Sequence, residues 1–252
     1  MTVRGQAEYH GASVFFVGGG MRRPRQEGSA RKEYGSVMDR HAWKHVGCIL
    51  LIALTARLGA AALWQQRTEG RFYFGDSETY WQLGQKIAQG ENYRYQADGY
   101  DARVFRTPGY PLLLTPIFLV GGEDPSLFWA RVEGAIFGSL AAVAVWRLAL
   151  TLLGSPGALI AGLIAAVYPG AVVTSVLILT EAPFSALMLL QLLVWGAAWR
   201  SASRTRAVWL GLVAGGLASA AVLVRPSWLL FTPAVVGLAW AAWLRVRLSA
   251  DA

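Results

Sequence analysis

The sequence predicts an all-α fold: a polytopic membrane helix bundle of about six spans, with an extracytoplasmic loop bearing short interfacial helices. Three observations carry that prediction. Of 252 residues, 55% are hydrophobic and 15% charged, too apolar for an ordinary soluble domain. The apolar residues gather in six runs, each near the roughly 20 residues a helix needs to cross a bilayer. Arginines flank those runs, so the net charge of +8 points to membrane orientation and away from nucleic acid.

Residues 1–45 are polar, glycine-containing and basic, with Arg4, Arg22, Arg23, Arg25, Arg31, Lys32, Arg40 and Lys44 and no apolar period. They read as a disordered cytoplasmic tail. No small-residue cleavage site follows the first apolar run, so a signal peptide is not expected, and Met38 is an alternative start. The first span, 46–64, holds the single cysteine, Cys48, which excludes an intrachain disulfide. It also holds Arg57 at its middle, expected to be structural and to pair with a carboxylate such as Glu133.

The loop 65–126 follows. Within it, Tyr80, Leu83, Gly84, Ile87 and Ala88 fall on one helical face after Asp76, and Gly90 supplies a stop. About fourteen residues cannot span, so this helix is expected along the membrane surface, with Asp76 at its N-cap and Glu78 in its first turn. The apolar run Pro111 to Gly122 is also too short to span and reads as an interfacial or re-entrant helix. Five further spans are expected near 127–152, 157–178, 182–199, 207–224 and 227–244, making a five-span bundle over 127–248 before a cytoplasmic end at 249–252. Trp43, Trp64, Trp228 and Trp243 read as interfacial anchors.

With the basic tail cytoplasmic, Arg200, Arg204, Arg206, Arg245 and Arg247 all fall inside, as the positive-inside rule requires. The loop 65–126 and the turns at Glu181 and Arg225 then fall outside. Asp76, Glu78, Arg106, Glu181 and Arg225 are thereby collected at one face, where charges are costly unless paired or wet, and such a collection usually builds a site. Each also has a plainer reading: Asp76 and Glu181 as helix caps, Arg225 as a snorkelling anchor. His10, His41 and His45 lie in or beside the tail, which argues against a histidine metal site, and Gly18-Gly19-Gly20 lacks the strand and helix of a nucleotide fingerprint.

The order of motifs resembles the polytopic glycosyltransferases of the C superfamily, which use polyprenyl-phosphate sugars. The branches it is most similar to are the protein O-mannosyltransferases, the lipid A aminoarabinose transferases and the bacterial dolichyl-phosphate-mannose-protein mannosyltransferase-like group. The carrying residues are Asp76 four before Tyr80, then Leu83 and Gly90; Arg106-Thr107-Pro108-Gly109-Tyr110-Pro111; Arg131 and Gly138; Thr180-Glu181; and Arg225-Pro226. The resemblance covers roughly 46–244 and implies that the chain corresponds to the N-terminal portion of such an enzyme.

The resemblance implies transfer of a sugar from a polyprenyl-phosphate donor to an extracytoplasmic protein, lipid or glycan acceptor, in the plasma (inner) membrane, with the N-terminus cytoplasmic. It implies Asp76 as general base and a site Glu at Glu181; Glu78, Arg106, Tyr110, Glu181 and Arg225 are the substrate-binding candidates, Arg106 and Arg225 those for the donor phosphate. In this chain Ser77 separates the two carboxylates that are adjacent in the commoner motif. The chemistry suits these residue types, because a carboxylate can take the acceptor proton and a departing phosphate calls for arginine or a divalent metal. The alternative reading is a non-catalytic membrane subunit, or truncated remnant, that binds polyprenyl lipid or a partner chain.

Overall fold

The computed structural model describes residues 27–97, 100–102, 106–122 and 124–250. In chain order they form α1 (Glu27–Arg67), α2 (Gly75–Ala88), β1 (Tyr95–Ala97), β2 (Tyr100–Ala102), α3 (Gly109–Gly121), α4 (Phe128–Val167), α5 (Pro169–Val176), α6 (Glu181–Trp199), α7 (Arg204–Val224), a 3-10 turn (Pro226–Trp228) and α8 (Phe231–Ala250). The fold is an all-α membrane bundle. The two strands form one short antiparallel hairpin, with Gln96 opposite Asp101.

Among the described residues those up to Ala42 form a unit of their own, and the contacts and cavities below concern residues 43–250. α1 begins at Glu27, inside the stretch expected to be a disordered tail. The sequence there is rich in helix formers such as Ala30, Arg31, Lys32 and Glu33.

Among the described residues four helical stretches are long and apolar enough to cross a membrane: Ala42–Arg67, Phe128–Val167, Glu181–Trp199 and Arg204–Val224. Six spans were expected, and the difference lies in two places. α4 is a helical hairpin, not one rod. Gly154 breaks it at φ 69°, ψ −178°, a conformation open to glycine. A Cβ on Gly162 would press on the Cβ of Trp146, a residue equidistant from Gly154 on the other limb. The second limb continues past a break at Tyr168 into α5, and together they fill the expected 157–178 span. The sixth apolar segment, Pro226–Ala242, is shorter than the others.

Arg57 shows how the bundle closes around these breaks. Its side chain is 1% exposed. It does not pair with Glu133: it donates to the carbonyls of Ala53 (3.2 Å), Ala165 (3.3 Å) and Ala166 (2.6 Å) and to Ser175 Oγ (3.2 Å). Pro169 has no N–H to offer the carbonyl four residues earlier, which is that of Ala165, and the break at Tyr168 frees Ala166. Arg57 thus caps the C-terminal end of the second limb, where carbonyl dipoles also favour a cation.

Candidate functional site

α2 is positioned by its apolar face. Tyr80, Trp81 and Leu83 are buried, and Tyr80 and Trp81 share an apolar cluster with Tyr110, Leu114 and Phe118 of α3 together with Leu127, Ile178 and Val224. The face expected against the membrane surface is therefore packed on protein. The start of α2 also differs from expectation. Phe74, in extended backbone, is the N-cap, and Asp76 lies inside the first turn with no capping role. Its carboxylate instead accepts a hydrogen bond from the Arg106 guanidinium in an ion pair.

Arg106 is held by the segment that leads into α3. Thr107 Oγ1 donates to the Val224 carbonyl (3.3 Å), and Tyr93 Oη donates to the Arg106 carbonyl (3.0 Å). Gly109 rests on the backbone of Leu223 and Val224, where any Cβ would collide. The start of α3 is thereby docked on the end of α7. The Arg106 guanidinium lies 5.3 Å from the centre of the Tyr80 ring, in cation–π geometry.

α7 ends at Val224, and Arg225 leaves it in extended backbone ahead of Pro226. Its Nη1 donates to Glu181 Oε1 at 2.9 Å, and its guanidinium lies 5.8 Å from the Phe184 ring centre, one turn into α6. Glu181 is the first residue of α6 and so combines a favourable place on the helix dipole with an ion pair across the bundle.

These pieces enclose one cavity of about 240 Å³, lined by Asp76, Tyr80, Arg106, Thr107, Leu179, Thr180, Glu181, Val224, Arg225 and Pro226. The first turn of α2 and the start of α6 both contribute to its lining, through Asp76 and Tyr80 and through Thr180 and Glu181. The charged side chains stand as two pairs. Asp76 is 53% exposed and Arg106 only 19%, so the carboxylate lies at the mouth and the guanidinium deeper.

Two expected residues stand elsewhere. Glu78 is exposed, accepts a hydrogen bond from Gln82 (3.2 Å) and does not line the cavity. Tyr110 is 3% exposed and forms a second layer behind Tyr80, with ring centres 5.2 Å apart. Tyr80, Thr107 and Thr180 line the cavity without having been singled out as site residues; Tyr80 was signalled by its place one turn after Asp76 on the same face. Burial raises the Tyr80 hydroxyl pKa against the opposing pull of Arg106, and burial pushes Tyr93 up to about 12. Both phenols therefore remain protonated near neutrality and can donate. Among the described residues no group of three or more His, Cys, Asp or Glu is placed to hold a metal ion.

The model of the dolichyl-phosphate-mannose-protein mannosyltransferase family matches residues 106–250, more than half of the chain. The chain belongs to that family. The matched region includes Arg106, Glu181 and Arg225, while Asp76 and α2 precede it. No curated protein and no solved structure gives a significant match. As a member of the dolichyl-phosphate-mannose-protein mannosyltransferase family, the chain is a membrane protein of mannosyltransferase type, and glycosyltransferase activity is the general activity of its class.

Proposed function

We propose that the chain carries a site at which a sugar moves from a polyprenyl-phosphate donor to an extracytoplasmic acceptor, with Asp76 as general base. The observation that carries this reading is the convergence of Asp76, Arg106, Glu181 and Arg225, far apart in sequence, on one cavity at one end of an apolar bundle. Chain direction supports the extracytoplasmic placement. α6 runs away from the cavity to a turn flanked by Arg200 and by Arg204 at the start of α7, the end that the positive-inside rule assigns to the cytoplasm.

In this reading the acceptor oxygen attacks C1 of the sugar as its proton passes to Asp76. The bond from C1 to the phosphate oxygen breaks, and the phosphate leaves with the electron pair and one more negative charge. Arg106, Arg225 and the helix starts at Asp76 and Glu181 meet that charge where it develops, and the neutral Tyr80 hydroxyl can donate to phosphate or sugar.

The test is transfer of mannose from polyprenyl-phosphate mannose to an acceptor peptide by the purified full chain in nanodiscs. Asp76→Asn is expected to retain the fold and lose about 10²–10⁴-fold in turnover. A folded Asp76→Asn variant with near-normal transfer refutes the base assignment, and no transfer by the unmodified chain refutes catalysis by this chain alone.

A further inference from the structure

The cavity places each arginine against a carboxylate: Asp76 with Arg106, and Glu181 with Arg225 at 2.9 Å. Resting on the reading above, we infer that the donor phosphate exchanges places with Asp76 on Arg106, so that donor binding releases the base. Asp76 occupies in the resting chain part of the cation surface that a phosphodiester must use. Arg106 is mostly covered, with its backbone pinned by Tyr93 and its neighbour Thr107 pinned to Val224. Asp76 is the more exposed partner, on the first turn of a helix, where its side chain can turn toward the mouth. The carboxylate is thus the member free to move.

The exchange has a chemical consequence. In the resting chain the Asp76 carboxylate is engaged by the Arg106 guanidinium and is not presented to an acceptor hydroxyl. A phosphate on Arg106 removes that restraint only when the donor is in place. During transfer Asp76 gains a proton and becomes neutral, while the phosphate gains one negative charge; the charge lost beside Arg106 reappears on the group that has replaced it. No net charge is created in the cavity. Donor binding therefore precedes productive acceptor binding, and water meets a masked base in the resting chain.

The experiment measures binding of farnesyl phosphate to the full chain in nanodiscs, by quenching of the intrinsic tryptophans or by calorimetry. Arg106→Gln is expected to weaken binding about tenfold or more, as loss of a charged hydrogen-bond partner does. Asp76→Asn is expected to tighten it about two- to fivefold, the equilibrium equivalent of an exposed ion pair, while abolishing turnover. Asp76→Ser serves as the second variant if Asn disturbs the fold, with the same tightening expected. Unchanged or weaker binding by folded Asp76 variants, with Arg106→Gln still weakened, overturns the exchange and leaves the phosphate site standing. Equal binding by the unmodified chain, Arg106→Gln and Arg225→Gln overturns the phosphate site and the exchange with it.

Discussion

Replacing Arg57 by leucine removes the donor that holds two otherwise unpaired carbonyls, those of Ala165 and Ala166. The carbonyl of Ala53 retains its helical partner, and the hydroxyl of Ser175 retains its bond to Ala171, so neither adds to the count. An unpaired buried carbonyl costs about 1–3 kcal/mol, giving about 2–6 kcal/mol for the two. Leucine also relieves the bundle of a buried cation, which offsets part of this, so the net expectation is the lower half of that range, about 2–4 kcal/mol. Unfolding of the purified chain in mixed micelles, followed by tryptophan fluorescence, reads the difference. The decisive partner is Pro169→Ala. It restores the N–H that Ala165 lacks and should recover about 1 kcal/mol in the leucine background. A stability change below about 0.5 kcal/mol for Arg57→Leu, or a rescue by Glu133→Gln in place of Pro169→Ala, refutes the capping role.

Gly109→Ala should separate α3 from the end of α7, because the added Cβ meets the Leu223 backbone; an overpacking cost of about 1–3 kcal/mol is expected in the same unfolding assay, together with weaker farnesyl phosphate binding as Arg106 shifts. In a Cys48→Ala background, an impermeant thiol reagent should label Asn92→Cys and not Ala202→Cys in intact cells, both positions being exposed in the structure; the reverse pattern inverts the topology. Tyr93 carries a folded pKa of about 12 against an ordinary value of 10.0, raised by burial. Its contribution to stability is full below pH 10 and is lost as pH rises to 12, and Tyr93→Phe should flatten that decline; an unaltered decline removes Tyr93 as its cause.

The bundle was legible because its signals are local. A run of about 20 apolar residues between arginines suffices for a span, and the period of Tyr80, Leu83, Gly84 and Ile87 suffices for α2. The turn near Gly154 was visible as a short polar break, and the structure adds only its sharpness. Partners were not legible. Nothing local distinguishes Asp76 as an N-cap from Asp76 as the partner of Arg106, since both uses suit an acid at a helix start. Arg57 was matched to a carboxylate because sequence displays side-chain charges; its actual partners are backbone carbonyls, whose availability depends on the geometry at Pro169. The hairpin of β1 and β2 went unread although Asp98-Gly99 between two short runs is a strong hairpin signal, because the apolar helices around it dominate any reading by hydrophobicity. Of the charges expected at one end, Asp76, Arg106, Glu181 and Arg225 line one cavity and Glu78 does not, and their division into two pairs required coordinates.

That division decides how the cavity behaves electrostatically. Two carboxylates and two arginines sum to zero, which makes four charges tolerable beside apolar helices. The backbone does not sum to zero. α2 and α6 each begin at the cavity, and each helix start carries roughly half a positive charge. The side chains thus balance one another while the main chain keeps the site attractive to an anion. Asp76 and Glu181 occupy those two helix starts themselves, so they serve as resident anions in a place suited to a phosphate. In the proposed exchange this gives the acidic residue a reason to stand there: the carboxylate occupies the anion position in the resting chain, and the same position then serves the donor.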